Sequence, residues 1–305
     1  VPDHPDTLAK YCTVDSALTT LQTQTLRWCA PYLLGDPFEL SHRSTLAFDP
    51  KSLLDHVVRA ACGMIFAREE PRGNSPLATV IRRWRGEERF ASPEEAEEVI
   101  EELMARMVDQ RLAELDDLMS EWRQYTRHLR ILTLSAKHDN LSCWQYQAER
   151  HTGAALRFRM GEDSTFGTPE PVRYGLHRPE ITTLKEQLNA VLYQERVEAQ
   201  LYFQNKFLYQ PQISKHEQQW RCFFSATDEP STKQADDQQW FDERVFNLDE
   251  LEAVYLGANM QTEHKQAIVD ILATDYPSVK VFQASIIPGR YDIEFGRVTL
   301  PKIKA

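Results

Sequence analysis

Residues 131–158, ILTLSAKHDNLSCWQYQAERHTGAALRF, constrain the fold of this chain more than any other stretch. An apolar, strand-like run at 131–134 leads into a polar turn over 135–140. A short helical segment carrying Cys143, Trp144 and Tyr146 closes on His151-Thr152-Gly153, and a second strand-like run follows at 154–158. Two core strands therefore bracket a compact element rich in aromatic, hydroxyl and imidazole groups. Binding and catalytic residues concentrate where a rigid scaffold presents side chains from its connecting segments. Taken one at a time, the same residues also read as structural, with Trp144 and Tyr146 as core plugs and His151 as a helix-end cap.

Around this segment the chain alternates short strands with helices. A strand at 8–12, a helix over 15–22 with Asp15 as its N-cap, and a strand at 26–30 open it. Gly35 and Asp36-Pro37 then break regular structure in a loop over 31–39. Leu53, Leu54, Val57, Val58, Ala61 and Ile65 recur at helical spacing over 51–66. The stretch IRRWRGEER places Arg82, Arg83 and Arg85 around Trp84, which could grip a phosphate chain or form a solvated helix face. Ser92, Pro93 and Glu95 form a capping signature for a helix reaching about residue 128. At the α-helical rise this helix would span on the order of 50 Å. It either lies along its own core or protrudes as an arm for a protein or homodimer contact through 92–128.

Later residues predict strands at 172–174, 219–224, 252–256, 279–284 and 291–295, helices over 180–203 and 262–273, and a hairpin at Pro288-Gly289. The pattern is that of an α+β fold, with a mixed or antiparallel sheet, flanking helices and a long helical insertion. With no linker-like segment, the expectation is a single domain over 1–305 whose insertion occupies about 50–128.

Composition narrows the function classes. Thirty-five Lys and Arg against 46 Asp and Glu give a formal charge of −11, which argues against duplex nucleic acid as the main partner. The five cysteines (12, 29, 62, 143 and 222) are scattered without paired spacing, so neither a disulfide framework nor a zinc ribbon is expected, and no metal. No apolar run approaches membrane-spanning length, and VPDHPDTLAKY carries no signal-peptide pattern. A cytoplasmic protein with no membrane partner is the expectation.

Four separated patches resemble a bacterial domain-of-unknown-function family. They are Lys10-Tyr11 with Leu26-Arg27-Trp28 and the Gly35-Asp36-Pro37-Phe38-Glu39 loop; Ser135, Asn140, Trp144, Tyr146, His151 and Gly153; His216 to Arg221, HEQQWR; and Val254-Tyr255-Leu256-Gly257. Gly35 stands where the family has Asn, and Gln219 where it has a second acid. The family's arrangement is in turn similar to ADP-ribosyltransferases, an analogy that fixes no function by itself.

That resemblance implies a site that breaks the nicotinamide–ribose bond of NAD, where a carboxylate stabilises oxocarbenium-like charge. Glu217, His151 and Gln219 would be its catalytic residues. Tyr11, Asp36, Glu39, Asn140, Trp144, Tyr146 and Arg221 would bind the small molecule or nucleotide, with Tyr11 or Trp144 stacking on the nicotinamide. On a strand Glu217 and Gln219 would face one side. Three rival readings use the same residues. A non-catalytic binding or sensor protein would hold them as a polar lock, with Arg221 paired to Asp36, Glu39 or Glu217. A metal-dependent nuclease would recruit Asp36, Glu39, Asp139 and Glu217. A cysteine hydrolase would pair Cys143 with His151.

Overall fold

The computed structural model describes residues 5–226 and 240–300, so the first four residues of VPDHPDTLAKY lie outside it. The chain divides into two compact units. The first opens with β1 (Thr7–Cys12), α1 (Val14–Thr23) and β2 (Thr25–Cys29). The second begins at Leu40 and holds α2 (Pro50–Phe66), α3 (Pro76–Gly86) and α4 (Pro93–His128) up to Thr126. The first unit resumes with β3 (Leu129–Ser135), α5 (Leu141–Tyr146), β4 (Ala154–Arg159), β5 (Glu170–Pro171) and β6 (Arg173–Gly175). After α6 (Leu184–Tyr193) in the second unit come β7 (Tyr209–Pro211), β8 (Gln219–Ser225), β9 (Phe241–Val245), β10 (Leu251–Leu256), α7 (Thr262–Asp275), β11 (Lys280–Ile286) and β12 (Ile293–Val298).

The fold is α+β. In the first unit the sheet runs β12-β11-β10-β4-β1-β3-β2-β9, with β8 added to β3 and β5 to β8. The pairings in this sheet are antiparallel except β10 with β11, which α7 connects as a parallel crossover. β3 pairs along its whole length with β8 but touches β1 only at Ala9↔Ser135 and β2 only at Cys29↔Ile131, so the sheet forks there. Lys10 fills the fork. Its Nζ donates to the Thr133 carbonyl at 3.1 Å, and burial lowers its amine below the ordinary lysine range.

Strand alternation sends side chains to two unequal cores. One face carries Leu8, Leu132, Leu134, Leu156, Phe158, Val254 and Leu256 against Ala17 and Leu21 of α1 and Ile268, Val269 and Leu272 of α7. The other carries Ala9, Tyr11, Ala155, Ala253 and Tyr255, a thin layer on which Cys143 and Trp144 of α5 are seated. The small residues let a helix of only six residues lie close to the sheet.

In the second unit, α2, α3, α4 and α6 share one core built on Leu53, Val57, Ile81, Ile100, Met104 and Val191. The expected insertion at 50–128 falls within this unit as far as Thr126, and the unit also takes residues 179–207, a contribution the sequence reading does not anticipate. The apolar stripe of α4 lies along this core, and Trp122 stacks on Phe207 with ring centroids 5.5 Å apart. Among the described residues no helix is long and apolar enough to cross a membrane.

Two local expectations are corrected. Thr13, not Asp15, caps α1, accepting from the Ser16 amide at 3.3 Å. The helix expected over 180–203 is shorter, because Thr183 and Glu186 form a capping box at its start and Gln194 turns left-handed (φ +56°) at its end. The arginines around Trp84 make local contacts, as the solvated-face reading expects: Arg85 donates to the carbonyls of Ala67 and Glu69, Arg82 to those of Pro71 and Gly73, and Arg83 pairs with Glu87.

Candidate functional site

The expected site residues fall into a closed polar cluster, a buried aromatic plug and an open cleft. The cluster forms where β8 passes the 31–39 loop. Trp220 and Cys222 enter the larger core, so Arg221 between them faces the other side of the sheet. There its Nη1 and Nη2 donate to the two carboxylate oxygens of Glu39 at 2.9 and 2.7 Å, and its Nε to Gln219 Oε1 at 2.7 Å. Gln210 donates a further bond to Glu39 Oε2 at 2.8 Å. Arg221 and Glu39 keep only 2% and 4% of their side-chain surface, so this bidentate pair is closed to water. Asp36 uses Oδ1 to accept the Phe38 amide at 2.8 Å, which shapes the loop that delivers Glu39.

Glu217 is not on a strand. It ends a 3₁₀ turn at Gln212–Glu217, and left-handed Gln218 (φ +47°) separates it from β8. Its side chain still meets its neighbours: Oε2 accepts from Gln147 at 3.2 Å and from Gln219 at 3.4 Å. Burial raises the Glu217 carboxyl above its ordinary value, and His216, the Gln219 amide and Arg221 partly offset this. Gln219 thus links Glu217 to Arg221.

The aromatic plug is Tyr11 and Trp144, both buried. Their rings meet edge to face with centroids 5.4 Å apart. The Tyr11 hydroxyl donates to the Lys137 carbonyl at 2.8 Å and accepts the Asn140 amide at 3.0 Å, while the Trp144 indole donates to the His138 carbonyl at 2.9 Å. Asn140 caps α5, its Oδ1 accepting from the Ser142 and Cys143 amides, and its Nδ2 donates to the His216 carbonyl. Neither ring expected to stack on nicotinamide is exposed. Cys143 is buried too, and burial pushes its thiol up to about 12, which leaves it a poor nucleophile.

Tyr146 and His151 lie elsewhere, on a cleft of about 370 Å³ between α5, residues 258–259 and the β11–β12 hairpin. Tyr146 is no core plug, being 80% exposed. Behind the cleft, Glu149, Arg150 and His151 are consecutive non-glycine residues with left-handed backbone (φ +50°, +57° and +67°). Each such residue costs roughly 1–2 kcal/mol, so the turn persists only where surroundings over-determine it. They do so here. The His151 and Arg150 amides donate to the Trp144 and Gln145 carbonyls at 3.0 Å. The Asn259 amide donates to the His151 carbonyl at 2.9 Å, its side chain donates to the Arg150 carbonyl at 3.1 Å, and Gly257 donates to Gly153 at 2.9 Å. Gly257 admits this contact only because it lacks a side chain, since a Cβ there would sit 2.1 Å from the His151 oxygen. The C-cap position of α5 is Gln147, and His151 closes the turn that follows it through its amide bond to the Trp144 carbonyl. Its ring stacks on Trp144 at 6.1 Å, and burial lowers its imidazole below the ordinary value.

The rest of the cleft escapes sequence reasoning. Arg290, Tyr291 and Asp292 follow the Pro288-Gly289 turn, and their exposed Arg-Tyr-Asp run was the one available signal. Among the described residues no group of three or more His, Cys, Asp or Glu side chains is placed to hold a metal ion, so Asp36, Glu39, Asp139 and Glu217 do not converge as a nuclease centre. No protein-family model, no curated protein and no solved structure matches the chain.

Proposed function

We propose that this is a non-catalytic ligand-binding protein whose small-molecule site is the cleft between α5 and the β11–β12 hairpin. The residues resembling a transferase constellation act as a structural lock behind it. One observation carries this reading: the groups that NAD chemistry would use are already engaged with one another. Arg221 and Glu39 form a buried pair, Gln219 joins Arg221 to Glu217, and Tyr11 and Trp144 are buried with their polar atoms bonded to the backbone. The cleft instead has the size and mixed lining of a small-molecule site. The five cysteines carry free thiols, which suits a reducing compartment such as the cytoplasm.

Nicotinamide release from millimolar NAD tests the proposal. The wild-type chain should release none above the rate of a heat-denatured control. Release that disappears in Glu217→Ala would restore the ADP-ribosyltransferase-like reading and remove this one.

A further inference from the structure

The chemistry lining the cleft specifies the class of ligand. We propose that it takes a planar aromatic ring bearing an acid group, with Arg290 meeting the acid and Tyr146 and Tyr291 contacting the ring. This rests on the cleft being the binding site. Leu141, Ile286 and Ile293 supply apolar surface. Tyr146 on α5 and Tyr291 on the hairpin supply one aromatic ring from each side, and both are among the most exposed large side chains of the first unit. Amphipathic rings held in water this way are characteristic of recognition surfaces, because each combines a large contact area with a polar tip.

Charge sets the sign of the ligand. Arg290 is the cleft's one guanidinium and makes no ion pair among the described residues. Asp292, the cleft's carboxylate, uses Oδ1 to accept the Ile293 amide at 2.9 Å, so it is held against its own backbone. Burial lowers the His151 imidazole, which favours its neutral form. A planar guanidinium matches carboxylate and phosphate oxygens bidentately. The volume lies at the small end of ligand sites, which suits one ring system and its acid better than a whole dinucleotide. The bonded turn at 149–151 presents a fixed wall, so little ordering is required when the ligand enters.

Titration of the whole chain with four probes, followed by calorimetry and backbone amide shifts, tests this. AMP and indole-3-acetate carry a ring with a phosphate or a carboxylate, and adenosine and indole are their neutral counterparts. At least one anionic probe should shift amides in 141–146 and 286–293 and bind roughly tenfold or more tightly than its neutral counterpart. Arg290→Ala should remove that advantage while leaving the remaining amide spectrum in place. Whether AMP or indole-3-acetate is preferred identifies the acid as phosphate or carboxylate. Equal binding of charged and neutral probes in the cleft, or an Arg290→Ala variant that binds the anion unchanged, overturns the assigned ligand class alone. If none of the four probes shifts the cleft amides, the binding site itself is wrong.

Discussion

Replacing Glu39 with Ala should be among the most damaging single changes in the first unit. It deprives Arg221 of two charge-assisted hydrogen bonds and leaves only the bond to Gln219 among those described above. Such bonds are worth about 1.5–3 kcal/mol each. With 2% of its side chain exposed, Arg221 cannot recover them from water without displacing its neighbours. Removing one partner of a buried pair costs about 3–5 kcal/mol, which for a unit of this size corresponds to a fall in Tm of roughly 6–20 °C. A second variant separates pairing from packing. Glu39→Leu combined with Arg221→Met removes both charges and restores apolar volume, so it should lie within about 2 kcal/mol of wild type. Urea denaturation followed by tryptophan fluorescence measures all three proteins. If Glu39→Ala stays within about 1 kcal/mol of wild type, or the double variant is less stable than Glu39→Ala, the lock is not what holds these residues.

Other perturbations probe the neighbouring features. Because burial raises the Glu217 carboxyl above its unfolded value, its contribution to stability is present below the ordinary carboxylate range and is lost as pH rises through the folded value. Glu217→Gln should therefore melt slightly higher than wild type at pH 7, and this gain should vanish below about pH 4. His151 has the opposite sense: its folded value is depressed, so its contribution is present above about pH 6.5 and lost as pH falls through the folded value. His151→Asn keeps a residue that tolerates left-handed backbone, and wild type should lose stability relative to it as pH falls below about 6.5. Gly257→Ala should cost about 3 kcal/mol or more, because its Cβ meets only backbone atoms, whereas Gly296→Ala enters open space and should stay within about 0.5 kcal/mol in the same thermal scans.

Much of the fold was legible because it depends on local pattern. The strand-like runs at 131–134 and 154–158, the helical spacing at 51–66 and the Ser92-Pro93-Glu95 signature each reappear as the expected element. In the last case Glu95 accepts from the Ala91 amide, one residue before the expected cap. Misses cluster where non-glycine residues adopt positive φ, as at Gln194, Gln218 and residues 149–151. Nothing in Gln, Glu or Arg favours that backbone; at 149–151 the bonds from Asn259 hold it in place.

The candidate site was legible in part for a related reason. Convergence of Glu39, Gln219 and Arg221 follows from one loop and one strand, and both were readable. Separation of Tyr11 and Trp144 from Tyr146 was not, since it depends on which side of α5 meets the thin sheet core. Residues 290–292 join the cleft only through the pairing of β11 with β12, a long-range contact no local pattern reports.

Hydrogen–deuterium exchange of the whole chain with and without millimolar AMP or indole-3-acetate compares the two sites directly, since each probe carries a flat ring and an acid group. Slowed exchange is predicted over 141–151 and 286–293, with 216–221 unchanged. Protection of 216–221 with the cleft unaffected, or no protection in either place, would contradict the assignment of binding to the cleft and of structure to the lock.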